Sequence, residues 1–263
     1  MTMPLSFAAL RMLIVSAVVV ITTGASLSVP DAKPPAGASA KFVDHQGLVL
    51  SDVRLDLVYW GSAWSAERGG GPKPDQITAA MRAMMSGPYL AGLAEYRGVG
   101  RGSVRGSTVL TTPEPANGFT PDDVQRFLDA QLDAGTVPAP DAETVYAVVL
   151  PRGVTSRGTF GGMHNYYIRD GRPVHYLWTA ESGTLDSATA ILSHEVVESI
   201  TDPRGSGIVG VDGTCSQDGW CEIADICWES AKVDNVIVRS YWSNRAGRCV
   251  TPGAPPSTVD ERT

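Results

Sequence analysis

Three side chains in one short segment have the types and spacing of a metal site. His194, Glu195 and Glu198 belong to the run Ser-His-Glu-Val-Val-Glu-Ser at residues 193–199. In an α-helix, residues four apart lie one turn apart on the same face, so His194 and Glu198 can reach one cation. Glu195 occupies the position of the general base in His-Glu-x-x-His zinc hydrolases, where a carboxylate takes a proton from the metal's water. The pattern therefore indicates metal-assisted hydrolysis.

The glutamate at position 198 replaces the second histidine of those hydrolases and affects the choice of cation. Carboxylate oxygen is an acceptable zinc ligand, but one imidazole among carboxylates selects zinc less strongly and leaves manganese, iron and calcium open. We expect Zn²⁺, with another divalent cation as the alternative. The plain alternative is an exposed helix that carries these side chains by chance.

Two more carboxylates follow in Glu222-Ile-Ala-Asp225. One of them can be the third protein ligand, leaving the fourth position for water as catalytic zinc requires. The other would then orient His194 from outside the ligand set. By analogy with zincins whose third ligand is a glutamate, Glu222 is slightly favoured over Asp225. The alternative for the pair is a surface turn or a helix cap.

His164, in Gly-Gly-Met-His-Asn-Tyr-Tyr at residues 161–167, is a further candidate. It can be a metal ligand or a substrate-facing donor that steadies a developing oxyanion, although a lone strand histidine is more often structural. A serine nucleophile is less favoured, because Ser193 and His194 are adjacent on one helix and their side chains diverge. The sequence contains no Gly-x-Ser-x-Gly elbow.

The segment from Asp186 to Pro203 must position the first three residues. Asp186 can act as the N-cap of a helix, and Pro203 prevents the chain from continuing it. Further helices are expected from Pro74, around residues 89–96 and from Thr120, where Thr120 is the N-cap and Asp123 the acid three residues later. Strands are expected at residues 53–60, 144–150 and 236–242, together with a hairpin about residues 170–171. Helices and strands without regular alternation predict one α+β domain with a mixed sheet and a zincin-like metal-binding helix.

The four cysteines all follow this helix in the sequence: Cys215, Cys221, Cys227 and Cys249. Their spacings do not resemble paired C-x-x-C zinc knuckles, and an exported protein favours disulfides. Three pairings are possible. We favour Cys215 with Cys221 and Cys227 with Cys249, which would hold the segment of Glu222 and Asp225 in place.

The ends of the chain differ from its middle in composition. Residues 12–21 are apolar, follow Arg11 and precede small residues up to Ala25, which predicts a signal peptide at residues 1–25; an uncleaved membrane anchor is the alternative. A flexible Pro/Ala-rich leader is expected at residues 26–42, the α+β domain at 43–251 and a disordered tail at 252–263. We therefore expect a secreted, extracellular or periplasmic protein with no membrane association after cleavage.

The charge balance excludes one class of partner. The chain of 263 residues has 21 basic and 28 acidic residues, and its isoelectric point is near 5.1. It lacks the basic surplus from which phosphate-backbone binding draws most of its affinity, so no nucleic-acid partner is expected.

Several of these motifs together resemble one family. Residues 193–203, the run Glu-Ile-Ala-Asp-Ile-Cys at 222–227 and the run from Trp242 to Cys249 resemble microbial members of the EXORDIUM-like, phosphate-induced protein family. Landmarks at residues 57–61, 119–123, 146, 162–164 and 176–178 are similar and in the same order, so the resemblance covers most of residues 55–250. It implies an extracellular or wall-associated protein, whose plant branch is linked to growth control without an established reaction. The plant branch lacks the His-Glu pair, and relatives often carry a cysteine near residues 160–162, where this chain has Phe-Gly-Gly.

Two functions follow from the sequence. The first is a secreted metal-dependent hydrolase, a zinc peptidase, that acts on a peptide or a cell-wall polymer. In it, Glu195 activates water and His164 or a tyrosine stabilises the oxyanion. The second is a non-catalytic extracellular binding protein in which the carboxylates hold a structural cation. Exposed aromatic side chains would contact its ligand, with Trp60, Trp64 and Trp178 as candidates.

Overall fold

The computed structural model describes residues 42–65, 71–180, 182–211 and 221–255. Its strands are β1 (Phe42–Asp44), β2 (Asp52–Trp60), β3 (Arg101–Leu110), β4 (Thr144–Val149), β5 (Gly162–Arg169), β6 (Arg172–Thr179), β7 (Ile208–Gly210), β8 (Ser230–Val233), β9 (Val236–Arg239), β10 (Tyr241–Ser243) and β11 (Arg248–Val250). Its α-helices are α1 (Pro74–Ser86), α2 (Pro88–Ala91), α3 (Pro121–Asp133) and α4 (Leu185–Thr201), and 3-10 turns lie at Ser62–Trp64 and Gly92–Glu95. The predicted signal peptide, the leader up to residue 41, Cys215 and the tail from residue 256 lie outside the described residues.

The central sheet has five strands in the order β3-β2-β4-β6-β5. Strand β2 pairs in parallel with β3 and β4, and β4 pairs in parallel with β6. Strand β5 runs antiparallel to β6 and forms one edge. Among the described residues, four short strand pairs or bridges lie outside this sheet, including β1 with β7 and β10 with β11. The predicted α+β class with a mixed sheet is confirmed.

Helices cover both faces of the sheet, which explains why β4 is buried along its whole length. Leu55, Leu57 and Tyr59 of β2 pack into the hydrophobic core shared with α1 and α4. Val58 and Trp60 of the same strand point to the opposite face and pack with α3. Alternate residues of one strand therefore fill two separate apolar clusters.

Two local predictions from turn and cap chemistry are confirmed. Helix α3 begins after Thr120, whose backbone N–H donates to Oδ2 of Asp123 at 2.8 Å, and Pro121 is its first residue. The hairpin between β5 and β6 turns at Asp170 and Gly171, whose φ angles are 50° and 74°. Two positive φ angles in a two-residue connection are typical of a type I′ turn.

Other predictions require correction. The N-cap of α4 is Thr184 rather than Asp186: Ser187 N–H donates to Thr184 Oγ1 at 3.0 Å, while Asp186 lies inside the first turn. There its carboxylate faces the positive end of the helix dipole. The helix expected at residues 89–96 is one α-turn followed by a 3-10 turn. The strand expected at residues 236–242 is interrupted at Ser240, whose N–H donates to Glu229 O.

The aromatic residues expected on the surface are not all there. Trp60 and Trp178 are buried in the cluster on the α3 side of the sheet. Trp64 is half-buried and donates from Nε1 to Val149 O. These side chains therefore do not form an exposed aromatic surface.

In the described part of the chain, no helix combines the length and the apolar character that crossing a membrane requires.

Candidate metal centre

Helix α4 places three of the predicted residues in the interior. It packs against β5, β6, β9 and α1 and is buried over most of its length. Glu195 and Glu198 are buried, and the side chain of His194 is 19% exposed. Because an isolated buried carboxylate is strongly disfavoured, both glutamates need charged partners.

His194 lies between two carboxylates. Its Nε2 atom is 3.2 Å from Oε1 of Glu198, one helical turn later, and 3.7 Å from Oδ1 of Asp225. One ligand atom from each of these three residues lies within 4.8 Å of the other two. This group is the first of two in the described residues with the composition of a metal site.

His164 is the centre of the second group. It lies on β5, and its Nδ1 atom is 3.6 Å from Oε2 of Glu195 and 3.6 Å from Oε2 of Glu198. Its Nε2 atom is 3.2 Å from Oε1 of Glu222 and 3.2 Å from the backbone oxygen of Asp202. The structure therefore brings together all six predicted residues, and Glu198 belongs to both groups.

The segment with Glu222 and Asp225 is a turn fixed at several points. Glu222 N–H donates to Oδ2 of Asp225 at 2.9 Å, and Trp242 N–H donates to Ile223 O at 2.7 Å. The disulfide between Cys227 and Cys249 joins the end of this segment to β11. That predicted disulfide is confirmed. Cys221 is disulfide-bonded, and the predicted pairing with Cys215 involves a residue outside the described ranges.

The geometry separates the roles of Glu222 and Asp225. Asp225 shares a group with His194 and Glu198, whereas Glu222 contacts the other imidazole, that of His164. The slight preference for Glu222 as the third ligand beside His194 does not match this arrangement. The reason is local: the turn at residues 223–226 separates the two carboxylates, so that they approach different histidines. Glu222 therefore contacts His164 rather than His194.

His164 is also buried further than a substrate-facing donor would be. Its side chain is 9% exposed, and acidic or carbonyl oxygens flank both ring nitrogens. A ligand role fits these contacts better than direct contact with a substrate. Ser193 is fully buried, where its Oγ accepts from Arg239 N–H and donates to Ala190 O, so it has a structural role.

The pKa values of three acids in the cluster are raised, and that of the fourth, Glu198, is lowered. Burial raises the pKa of Glu222 to about 8 and, with the charge of Glu198 adding to it, that of Asp225 to about 7. Burial also raises the pKa of Glu195. For Glu198 burial acts in the same direction, but the charges of His194 and His164 outweigh it and lower the pKa to about 2.

The pKa values of the two histidines, His194 and His164, are both raised. Burial disfavours the charged form of His194, but the carboxylate of Glu198 outweighs it and raises the pKa to about 9. Burial likewise opposes charge on His164, and Glu222 raises its pKa well above the ordinary value. Positive charge at the centre of the cluster is thus strongly stabilised, as a cation site requires.

One buried oxygen, Oε1 of Glu198, is evidence for a cation site. Oε1 of Glu198 is buried and accepts no hydrogen bond from the residues that the structure describes, although it is 3.2 Å from His194 Nε2. Buried carboxylate oxygens normally accept hydrogen bonds or bind a metal. This oxygen faces the first group and is free to be a ligand.

Two contributors were not predicted from the sequence. The backbone oxygen of Asp202 contacts His164, while Oδ1 of Asp202 accepts from the N–H groups of Ser206 and Gly207 at 2.6 and 2.7 Å. Gly162 allows β5 to pass close to Glu195. Asp202 lies in the Thr-Asp-Pro motif and Gly162 in the Gly-Met-His motif, and both motifs carry the family resemblance. That resemblance was the sequence signal that could have pointed to these two residues.

Comparison of the chain with protein-family models, with curated proteins and with solved structures finds no match.

Proposed function

We propose that the protein is a metal-dependent hydrolase in which His194, Glu198 and Asp225 bind the catalytic cation. The observation that carries this proposal is the position of His194 Nε2, 3.2 Å from Oε1 of Glu198 and 3.7 Å from Oδ1 of Asp225. Zinc bonds of about 2.1 Å at tetrahedral angles separate neighbouring ligand atoms by about 3.4 Å. The two distances lie on either side of this value, and the three ligand atoms lie within 4.8 Å of one another, which leaves room for one cation between the three side chains.

Exposure differs within this group in the way that a catalytic site needs. The side chains of His194 and Asp225 are 19% and 24% exposed, whereas that of Glu198 is 3% exposed. Water and substrate can therefore approach from the side of His194 and Asp225. Catalytic zinc sites keep such an open position, whereas structural sites are closed by four protein ligands.

Glu195 is the proposed general base. It follows His194 on α4 and is buried beside the group, where burial raises its pKa and so its affinity for a proton. A bound cation supplies a Lewis acid that polarises the carbonyl and acidifies water. Glu195 takes one proton from water as the water oxygen bonds to the carbonyl carbon. It returns that proton to the leaving nitrogen as the C–N bond breaks.

A peptide is the substrate class we propose, because of the sheet edge beside this group. Strand β5 is the outer strand next to β6, and no other described strand pairs with its outer edge. It begins at Gly162, next to Glu195. An extended peptide can add to such an edge through backbone hydrogen bonds, which would carry a scissile bond toward Glu195. A cell-wall polymer remains an outcome for the substrate screen.

The proposal also includes a cellular location and a family. The disulfide between Cys227 and Cys249 fits an oxidising compartment, and with the predicted signal peptide it supports a secreted protein. Membership of the EXORDIUM-like family is likewise part of the proposal, supported by the motifs that converge on the cluster.

A second candidate function is an extracellular binding protein with a structural cation. The deep burial of Glu195 and Glu198 favours it, because structural sites are closed to solvent. The exposed aromatic residues that were expected to contact its ligand do not support it, since Trp60 and Trp178 are buried. Measured hydrolysis distinguishes the two functions, because only the first predicts turnover.

The test compares three variants of the zinc-loaded protein on a library of quenched fluorogenic peptides. Glu195→Gln should lower kcat by about 10²- to 10⁴-fold, the usual contribution of a general base, while the zinc at His194 is retained. Asp225→Asn should lose that zinc. Glu143→Gln, at a half-buried carboxylate that belongs to neither metal-site group, is the matched control and should change neither property. Unchanged hydrolysis in Glu195→Gln would overturn the mechanism, and a zinc-loaded protein without turnover on any substrate would favour the binding protein.

A further inference from the structure

Glu198 faces a different imidazole with each of its carboxylate oxygens. Oε1 lies 3.2 Å from His194 Nε2, and Oε2 lies 3.6 Å from His164 Nδ1. From this arrangement we infer that the cluster binds two divalent cations bridged by Glu198. The first lies at His194 and Asp225, as in the proposed function. The second lies at Nδ1 of His164 and Oε2 of Glu195, so that Oε1 of Glu195, beside Gly162, is the oxygen that takes the proton in the proposed function.

The second group has the same composition and nearly the same spacing as the first. Each group has one imidazole nitrogen, one oxygen of Glu198 and one oxygen of a further acid, with all ligand atoms within 4.8 Å of one another. In the second group, Nδ1 of His164 is 3.6 Å from an oxygen of both Glu195 and Glu198. This is close to the separation of about 3.4 Å between neighbouring ligands of one zinc ion.

The contacts of His164 determine which nitrogen can bind the cation. Nε2 is 3.2 Å from two acceptors, Oε1 of Glu222 and the backbone oxygen of Asp202, so the single proton of a neutral imidazole belongs there. The lone pair of Nδ1 then points at two carboxylate oxygens, an arrangement that is repulsive without a positive charge between them. A cation at that point turns three repelling atoms into three ligands.

The charge of the cluster points the same way. Glu195, Glu198, Glu222 and Asp225 are buried or half-buried around two imidazoles. When ionised, these four carboxylates are balanced by two divalent cations with neutral histidines. Uncompensated charge in a protein interior is strongly disfavoured.

Glu222 has a defined part in this arrangement. It contacts the nitrogen of His164 that faces away from the second group. Metal-binding histidines almost always donate their other N–H to a carboxylate or a carbonyl, which fixes the tautomer and strengthens the ligand. Glu222 and the Asp202 carbonyl meet this requirement, which assigns Glu222 a positioning role.

The second cation would be closed to solvent and the first open. The side chains of His164, Glu195 and Glu198 are 9%, 7% and 3% exposed, against 19% and 24% for His194 and Asp225. The buried cation would hold Glu198 in place and add positive charge behind the catalytic cation.

The experiment is a zinc count on the purified full-length protein by elemental analysis and native mass spectrometry, after chelation and reloading with Zn²⁺. Two zinc ions per chain are expected. His164→Ala should retain one, Asp225→Asn should retain one, and Glu198→Ala should weaken both. His45→Ala, at an exposed histidine, is the matched control and should retain two. Cobalt loading adds a readout of proximity, because two adjacent Co²⁺ ions give a spin-coupled signal that His164→Ala abolishes.

The outcomes separate this inference from the proposed function. One zinc in the wild type, lost in Asp225→Asn and unaffected by His164→Ala, would overturn the second cation and leave the hydrolase proposal standing; a proton on His164 would then take the cation's place. No zinc in the wild type would overturn both. Where His164→Ala fails to fold, Glu222→Gln replaces it, with an expected 10- to 100-fold loss of affinity for the second zinc alone. Unchanged affinity in that variant would contradict the assignment.

Discussion

A Cβ atom at residue 162 would lie 2.6 Å from Oε1 of Glu195. The same atom would lie 2.4 Å from Cγ2 of Ile191, so β5 and α4 approach one another as closely as a glycine permits. This contact sets the distance between the strand that carries His164 and the helix that carries the other ligands. Glu195 therefore has its position because residue 162 has no side chain.

Gly162→Ala should consequently disturb both stability and the site. We expect a loss of about 1–3 kcal/mol in the free energy of unfolding, typical of overpacking, and weaker zinc binding because Glu195 must move. Urea unfolding and a zinc titration measure the two effects. The matched control is Gly183→Ala, where an added Cβ meets no atom within 4 Å. If Gly162→Ala matched Gly183→Ala in both stability and zinc affinity, the close approach of β5 at residue 162 would not be what positions Glu195.

Removal of metal should destabilise the folded protein. Because the ligands come from β5, α4 and the turn at residues 222–225, they are brought together only in the folded chain. A cation that binds only the folded state stabilises it by about 2.7 kcal/mol at a free concentration of one hundred times its Kd.

Thermal unfolding with and without a chelator measures this effect. The Tm of the wild type should fall on chelation and recover with added Zn²⁺. Asp225→Asn, which lacks a ligand of the first group, should show a smaller change. A wild-type Tm that does not respond to the chelator would argue against a cation in either group.

The sequence predicted the parts of the site that depend on local spacing. The four-residue interval of His194 and Glu198 and the hairpin turn at residues 170–171 both follow from neighbouring residues. Which of Glu222 and Asp225 lies beside His194 does not follow from neighbouring residues, because it depends on how a turn anchored by Cys227 packs against α4. The contact of His164 with the carbonyl of Asp202 was beyond prediction for a different reason: every residue carries a carbonyl, so no side-chain pattern marks it.

His175 should make the protein less stable in mild acid. It lies on β6, and burial, together with the charge of Arg204, lowers its pKa to about 4 from the ordinary value near 6.5. Above pH 6.5 the residue is neutral in both the folded and unfolded states and costs no stability. As the pH falls from 6.5 toward 4, only the unfolded state takes up this proton, so stability is lost through that window.

His175→Gln should therefore flatten the dependence of stability on pH between 6.5 and 4. Urea unfolding at a series of pH values, with metal held saturating, measures the slope. His45→Gln, at an exposed imidazole, is the matched control and should keep the wild-type slope. Identical slopes in wild type and His175→Gln would refute this origin of acid sensitivity.

The disulfide between Cys227 and Cys249 should affect metal binding as well as stability. It joins residues 22 positions apart, and a crosslink of that length stabilises a folded chain by about 3 kcal/mol through its effect on the unfolded state. Its first cysteine follows Asp225 by two positions, so the bridge also limits the movement of that carboxylate. The double variant Cys227→Ala/Cys249→Ala should lower the free energy of unfolding by about that amount and weaken zinc binding at His194. If the bridge acted on the unfolded state alone, the variant would lose stability while its zinc affinity, measured on the folded protein, stayed at the wild-type value.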